Sequence, residues 1–149
     1  MRVFQNNNIV ETNYKKIQLG TVNNEKIFLS PPSWDCGWYW GFGYLGNKNC
    51  HYHLSGLSKD CNLYDGIKKH FRNSFIITDD EDIWTFAELI QTFYNLQEAS
   101  EVFRRGGSNY TNNPCKDIII NKEVVTRINN IIMPAIFEEI YKILNKYTK

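Results

Sequence analysis

The sequence predicts an α+β domain in which a small N-terminal antiparallel β-sheet packs on two long C-terminal α-helices. Apolar and aromatic residues alternate at period two within residues 14–55, which is the pattern of half-buried strands. After residue 79 the apolar residues recur every three or four positions, which is the pattern of amphipathic helices. A chain of 149 residues has the length of one domain, so we expect a single domain over 1–149.

The first strands are predicted to form a hairpin at 14–21 and 25–30. Asn23 and Asn24 lie between two alternating segments, and asparagine tolerates the positive φ angles that a tight hairpin turn requires. The preceding residues 1–13 are polar and rich in asparagine. We therefore expect the chain to begin with a frayed segment.

An aromatic strand at 38–44 is predicted to occupy the centre of the sheet, with a returning strand at 50–54. Four rings fall on one face of the aromatic strand, at Trp38, Trp40, Phe42 and Tyr44. Such a face suits either a core packed on helices or a platform for a base or a partner protein. We favour the core, which leaves Trp34 and Tyr39 as the aromatic residues expected to be exposed.

Two helices are predicted directly after the sheet. A short helix spans Leu63–Phe71, and a long helix follows at about 79–105. Thr78 and Glu81 have the spacing of a capping box at the start of the long helix. The apolar spacing is compatible with one continuous helix or with two helices broken near Asn95.

The last segment, about 121–146, is predicted to be the second long helix. Isoleucine and valine residues follow a helical stripe along it, and Pro134 lies inside it. Proline removes one backbone hydrogen bond, so Pro134 is expected to kink or split the helix. An isoleucine-rich helix of this length could also bury against a second copy, which makes a homodimer through the C-terminal helix plausible.

Charge and composition exclude several function classes. The chain has 17 basic and 16 acidic residues and a net charge of +1, which argues against strong sequence-independent attraction to nucleic acid or anionic lipid. The first residues show no signal peptide, and no apolar run approaches the roughly 20 residues of a membrane helix. We therefore expect a cytoplasmic protein with no membrane partner and with reduced cysteines.

The predicted partner-binding residues lie mainly in the polar loop that follows the first long helix. Paired arginines offer bidentate forks to a phosphate or a carboxylate. The loop is also longer and richer in side-chain donors than a helix connection requires. An ordinary glycine cap followed by a turn is the structural alternative. The predicted binding residues are Arg104, Arg105, Ser108, Asn109, Tyr110 and Asn112 in the loop, with Trp34 and Tyr39 in the aromatic segment.

Metal binding and catalysis find little support in the sequence. His51 and His53 would place two imidazoles on one strand face, but structural zinc needs four nitrogen or sulfur ligands, and no CxxC or HxxxH spacing is present. Cys36 or Cys50 with a nearby histidine could form a cysteine–histidine pair, yet no local signature accompanies it. We predict no cofactor, no catalytic residue and no metal, with His51 and His53 as weak metal candidates.

A DNA-binding regulator is the alternative function. Within 81–110, the segment 96–103 has the character of the first helix of a helix-turn-helix motif. The recognition helix would then fall in an asparagine-rich segment that contains Pro114, and the near-zero net charge also argues against it. A zinc- or cysteine-dependent enzyme is the third possibility.

Two runs of sequence carry a resemblance to a known group of proteins. They read PPSWDCGWYWGFGYLGNKNCHYH and, later, HFRNSF with WTFAELIQTFYNLQEASEVFRRGGSNYTNNP. Together they resemble small accessory proteins encoded by phages, prophages and other mobile elements, over most of residues 30–140. The resemblance implies a non-enzymatic, anti-CRISPR-like inhibitor in the host bacterial cytoplasm. Its partner would be a bacterial defence protein or that protein's nucleotide or nucleic-acid ligand.

Overall fold

Antiparallel strands and α-helices share one hydrophobic core in the computed structural model, so the predicted α+β class is confirmed. The structure describes residues 2–5, 8–11, 17–29, 44–45, 51–52, 57, 60–104 and 122–148. Side-chain burial and contacts are described for 17–29, 57, 60–96, 122–128 and 130–148.

The chain begins with a two-stranded antiparallel hairpin, β1 (Arg2–Gln5) and β2 (Asn8–Glu11). The prediction of a frayed start is therefore wrong for these residues. Apolar residues lie directly opposite one another in the hairpin, pairing Val3 with Val10 and Phe4 with Ile9. β-Branched and aromatic residues favour strands, so the polar composition of the segment as a whole was a poor guide to its backbone.

A second, four-stranded antiparallel sheet has its strands in sequence order. The strands are β3 (Ile17–Val22), β4 (Glu25–Leu29), β5 (Tyr44–Leu45) and β6 (His51–Tyr52). The predicted hairpin is confirmed as β3 and β4. Its two turn residues, Asn23 and Asn24, have φ angles of 51° and 66°, as a type I′ turn requires.

The described end of the predicted aromatic strand, β5, lies in the interior of this sheet between β4 and β6. Tyr44 pairs with Tyr52 in the backbone register of the ladder. This pairing confirms the returning strand for the residues that the structure describes. Residues 38–43 of the predicted strand lie outside them.

Helices α1 (Leu63–Phe71) and α2 (Asp80–Arg104) follow the sheet, and α2 is continuous over 25 residues with no break near Asn95. The predicted cap of α2 is wrong by one residue. Asp79, and not Thr78, accepts the backbone N–H of Asp82 at 3.0 Å through its carboxylate. Aspartate caps helices at least as well as threonine, so the acidic residue nearer the first turn takes this position.

The C-terminal segment is not a single long helix. It consists of α3 (Lys122–Arg127), a π-helical turn (Ile128–Ile132) and α4 (Met133–Asn145). Pro134 lies in the first turn of α4, so the predicted splitting by proline is confirmed. The backbone N–H of Met133 donates to the carbonyl of Ile128, five residues earlier. The π turn thus adds a residue to the helix just before a proline that cannot donate.

The core lies where α1, α2 and α4 meet β3 and β4. Its largest fully buried side chains are phenylalanines from all three helices, accompanied by aliphatic residues and one methionine. They are Phe71, Phe86, Phe93, Phe137, Ile67, Ile77, Ile90, Ile140, Leu19, Leu29 and Met133. Helix α2 contacts both α1 and α4, so it is the central element that positions the surfaces of its neighbours.

A polar contact joins the start of α2 to the end of α4. The hydroxyl of Tyr147 donates to Oδ2 of Asp82 at 2.6 Å, and Nζ of Lys146 lies 3.3 Å from Oδ1. The hydrogen bond from Tyr147 holds the pKa of Asp82 below its ordinary value, and Lys146 adds to this effect. The ionised carboxylate thus stabilises contact between segments far apart in the chain.

The Tyr147→Phe variant is expected to melt a few degrees below wild type at neutral pH, because it removes a hydrogen bond to a charged group. A lowered folded-state pKa means that the contribution of Asp82 is complete above its ordinary pKa of 3.8 and is lost as the pH falls through the folded-state pKa. Thermal melts at neutral pH and near pH 3 should therefore show the difference shrinking in acid. An equal difference in melting temperature at both pH values would show that the ionised carboxylate of Asp82 does not account for the stability lost in Tyr147→Phe.

Candidate functional site

Most of the predicted binding residues lie outside the described part of the chain. Arg104 is the last residue of α2, and its side chain is not described. The other predicted residues that fall outside are Arg105, Ser108, Asn109, Tyr110, Asn112, Trp34 and Tyr39. The structure brings none of these side chains into a described site, so the loop after α2 stays a prediction.

The weak metal candidates are likewise only partly covered. His51 lies in β6 opposite Leu45, and His53 lies outside the described residues. Within the described ranges, no three residues among histidine, cysteine, aspartate and glutamate cluster as metal ligands would. Cys61, just before α1, is a free and partly exposed thiol.

The segment predicted to be the first helix of a helix-turn-helix motif is part of one continuous helix. Residues 96–103 form the C-terminal part of the 25-residue α2, which runs unbroken to Arg104. The proposed recognition helix would fall in 105–121, which lies outside the described residues. No described feature favours reading of DNA over the other hypotheses.

An exposed tryptophan on α2 forms the clearest candidate binding surface that the structure describes. Trp84 is 48% exposed although it lies in the first turns of a helix whose opposite face is buried. Its ring packs edge-on against Tyr64 of α1, with centroids 5.0 Å apart and an interplanar angle of 61°. This geometry is favourable for aromatic pairs, so the indole is held in one position while much of its surface faces solvent.

Polar contacts fix Tyr64 from the other side. Its hydroxyl donates to the carboxylate of Asp80, at 2.6 Å from Oδ1 and 2.7 Å from Oδ2. Nζ of Lys68 donates to the same Oδ1 at 2.6 Å and lies 5.1 Å from the centroid of the Tyr64 ring. Asp80 and Lys68 therefore orient the Tyr64 ring against which Trp84 packs.

The electrostatics of this group follow from its hydrogen bonds. The hydrogen bond from Lys68, and then that from Tyr64, lowers the pKa of Asp80. Reciprocally, the hydrogen bond to Asp80 raises the pKa of Lys68. Both residues are well exposed, so the pair orients Tyr64 more than it stabilises the fold.

A shallow cavity of about 200 Å³ opens beside the two rings. Its lining includes Leu63 and Tyr64 of α1 and Trp84, Ala87 and Gln91 of α2. We call this surface the Trp84 platform. It has an aromatic anchor, a small apolar depression and a polar rim, and this is the organisation of protein-binding hot spots.

The sequence carried a signal for this surface. Ile83, Phe86 and Ile90 mark the buried stripe of α2, and Trp84 lies off that stripe. A tryptophan on the solvent side of an amphipathic helix is a candidate interface anchor, because tryptophan is enriched in interface hot spots. The density of aromatic residues at 34–44 favours Trp34 and Tyr39 as the aromatic binding residues instead.

The π turn carries two further exposed apolar residues. Ile131 is 63% exposed and Ile132 is 41% exposed, and β1 lies close to this turn. Both residues belong to the segment predicted to form a homodimer. The homodimer stays a prediction, because nothing in the described structure shows a second copy against this face.

Comparisons with protein-family models, curated protein sequences and solved structures found no match. Among the helices of the described ranges, none combines the length and the apolar character that crossing a lipid bilayer requires. Function is therefore inferred from the geometry of the molecule itself.

Proposed function

We propose that this chain is a non-enzymatic protein of phage or prophage origin that binds and inhibits a component of a bacterial defence system in the host cytoplasm. The Trp84 platform is the observation that carries the binding part of this proposal. The resemblance of the two sequence runs to mobile-element accessory proteins supports the choice of partner.

The Trp84 platform suits binding of a protein for a physical reason. Tryptophan and tyrosine dominate interface hot spots because they bury a large area at a small cost in side-chain entropy. Here the edge-on contact with Tyr64 already restricts the indole, and Asp80 and Lys68 restrict Tyr64. The free protein thus holds its anchor near the position that binding requires, which lowers the entropic cost of association.

The depression beside Trp84 also sets the kind of partner. A volume of about 200 Å³ falls below the range of about 300–1,000 Å³ typical of small-molecule sites. It has room for one apolar side chain of a partner protein, with Trp84 covering the surrounding surface. A docked side chain and a flat aromatic contact are features of protein–protein interfaces.

Expression of the chain is expected to restore phage plaques on a bacterial host that is protected by a defence system, a CRISPR effector being the first to test. The Trp84→Ala variant should bind the purified effector at least about tenfold more weakly, because loss of a hot-spot residue costs about 2 kcal/mol or more. The measurements are plaque counts in the host and titration with the purified effector.

Ile131→Ala is the matched control, since it removes exposed apolar surface at a different place on the molecule. It should bind and melt like wild type, whereas Trp84→Ala also loses the ring contact with Tyr64 and should melt slightly lower while staying folded. Arg104→Ala combined with Arg105→Ala tests the loop prediction in the same assay. Failure of the wild-type chain to restore plaques on any host of a defended panel would overturn the proposal. Wild-type affinity of the Trp84→Ala variant for the effector would show that the Trp84 platform is not the binding surface.

A further inference from the structure

A larger cavity lies at the opposite end of α1 from the Trp84 platform. It measures about 550 Å³, within the size range of small-molecule sites. One wall is the β3–β4 turn with Asn23 and Asn24, and the other is the chain from Lys69 to Ser74. The cavity thus forms between two segments about 50 residues apart in sequence, and neither would form it alone.

The lining of this cavity is largely polar, and its ionisable side chains are basic. Lys69, His70 and Arg72 line it, and among the residues that the structure describes no acidic side chain does. In the part of the chain that the structure describes, neither Lys69 nor Arg72 forms an ion pair, whereas the neighbouring Lys68 is paired with Asp80. The side-chain amides of the turn asparagines add uncharged donors. This is the composition of a site for an anionic ligand.

Basic residues at the end of a helix often serve only to complement the helix dipole, and Lys69 and His70 lie in the last turn of α1. Arg72 does not fit that explanation. It follows the helix and has φ 56° and ψ −122°, the angles of the first central position of a type II′ turn. Glycine dominates that position, and a residue with a side chain is strained there. An arginine at a strained backbone position that also lines a cavity points to a use of its guanidinium there.

The two walls are held together before any ligand arrives. The hydroxyl of Ser74 accepts the backbone N–H of Thr21 at 2.9 Å and lies 2.8 Å from the Thr21 carbonyl. Farther along, the N–H of Ile76 donates to the carbonyl of Leu19 at 2.7 Å. These bonds fix the turn of the hairpin relative to Arg72. A preorganised cavity loses less entropy on binding than a mobile one.

We propose that this cavity binds a phosphate-bearing small molecule of nucleotide size, with Lys69 and Arg72 contacting the phosphate oxygens. The guanidinium of Arg72 provides a bidentate fork, and the ammonium of Lys69 provides a compact charge beside it. The volume exceeds what inorganic phosphate alone would fill, so a ligand with a further polar moiety fits better. The site shares no residue with the Trp84 platform and does not depend on the proposed function.

Titration of the full-length protein with ADP, pyrophosphate and adenosine tests this site, monitored by calorimetry and by amide chemical shifts. ADP and pyrophosphate should bind and shift amides at 21–24 and 69–74, while adenosine, which lacks phosphate, should not. No binding of ADP or of pyrophosphate at millimolar concentration would overturn the proposal, as would equal binding of adenosine. Tighter binding of a short single-stranded DNA at the same amides would assign the cavity to nucleic acid instead and overturn it as stated.

The variant Arg72→Gly separates this role from a structural one. Glycine relieves the backbone strain, so the variant should melt above wild type, yet it should bind ADP at least about tenfold more weakly because the guanidinium is lost. Lys69→Gln should weaken binding with little change in melting temperature. Arg127→Ala, which removes an exposed charge on α3, is the control and should bind as wild type does. Unchanged ADP affinity in both Arg72→Gly and Lys69→Gln would refute the assignment.

Discussion

The Gly66→Ala variant is expected to be less stable than wild type by about 3 kcal/mol, the upper part of the usual range for overpacking. A Cβ atom at position 66 would lie 1.9 Å from the carbonyl oxygen of Leu57 and 2.7 Å from its carbonyl carbon. Both atoms belong to the backbone, so no side-chain rotation relieves the contact. Either α1 or the segment at Leu57 has to move.

The direction of this effect opposes that of local helix propensity. Alanine is favoured over glycine inside a helix by about 1 kcal/mol, so an open helix would gain stability from the change. Urea denaturation followed by circular dichroism measures the difference, which corresponds to a fall of about 6–12 °C in melting temperature. Asp65→Ala, at the exposed neighbouring position, is the control and should have a small effect. A Gly66→Ala protein as stable as wild type would contradict the close approach of α1 to Leu57.

The Gly20→Ala variant is expected to lose a similar amount, about 3 kcal/mol, from strain and overpacking together. Gly20 has φ 153° at the irregularity in the β3–β4 ladder, a conformation that side-chain-bearing residues rarely adopt. A Cβ atom there would also lie 2.5 Å from the backbone carbonyl oxygen of Ser74. The substitution therefore separates β3 from the turn that follows α1.

Gly20→Ala should also weaken ligand binding at the proposed anion site. The close contact between Gly20 and the backbone of Ser74 places the Ser74 hydroxyl against Thr21, and the substitution disturbs it. Melting temperature and ADP affinity should fall together in this variant. Gln18→Ala, an exposed change on the same strand, should alter neither. Wild-type stability would contradict the tight contact between β3 and Ser74, whatever the outcome of the ADP titration.

Local signals in the sequence predicted much of the secondary structure. The Asn23–Asn24 turn, the extent of α1, the start of α2 and the interruption near Pro134 depend on interactions between residues at most a few positions apart. Turn preferences, apolar periodicity and the missing N–H of proline act at that range. The β1–β2 hairpin was missed because its four apolar residues are diluted by asparagines.

The candidate sites were not predicted, for a different physical reason. Aromatic density and paired arginines indicate other segments of the chain, most of which lie outside the described residues. The Trp84 platform depends on how α1 lies across α2, which places Tyr64 against Trp84. Periodicity shows that Trp84 lies off the buried stripe, but it does not show which residue supports the ring.

The sequence by itself determined an α+β chain, its β3–β4 turn, the extent of α1 and the helical character of the segment that forms α2, but it left open whether α2 breaks near Asn95. Tertiary structure decided which exposed groups act together. Ser74 meets Thr21 across 53 positions, and Tyr147 meets Asp82 across 65. Contacts of that separation arise only when the shared core brings helices and strands together, since no pairing preference of the individual residues specifies them. The basic cavity at Arg72 and the aromatic platform at Trp84 therefore follow from the packing of α1 and not from any motif in the chain.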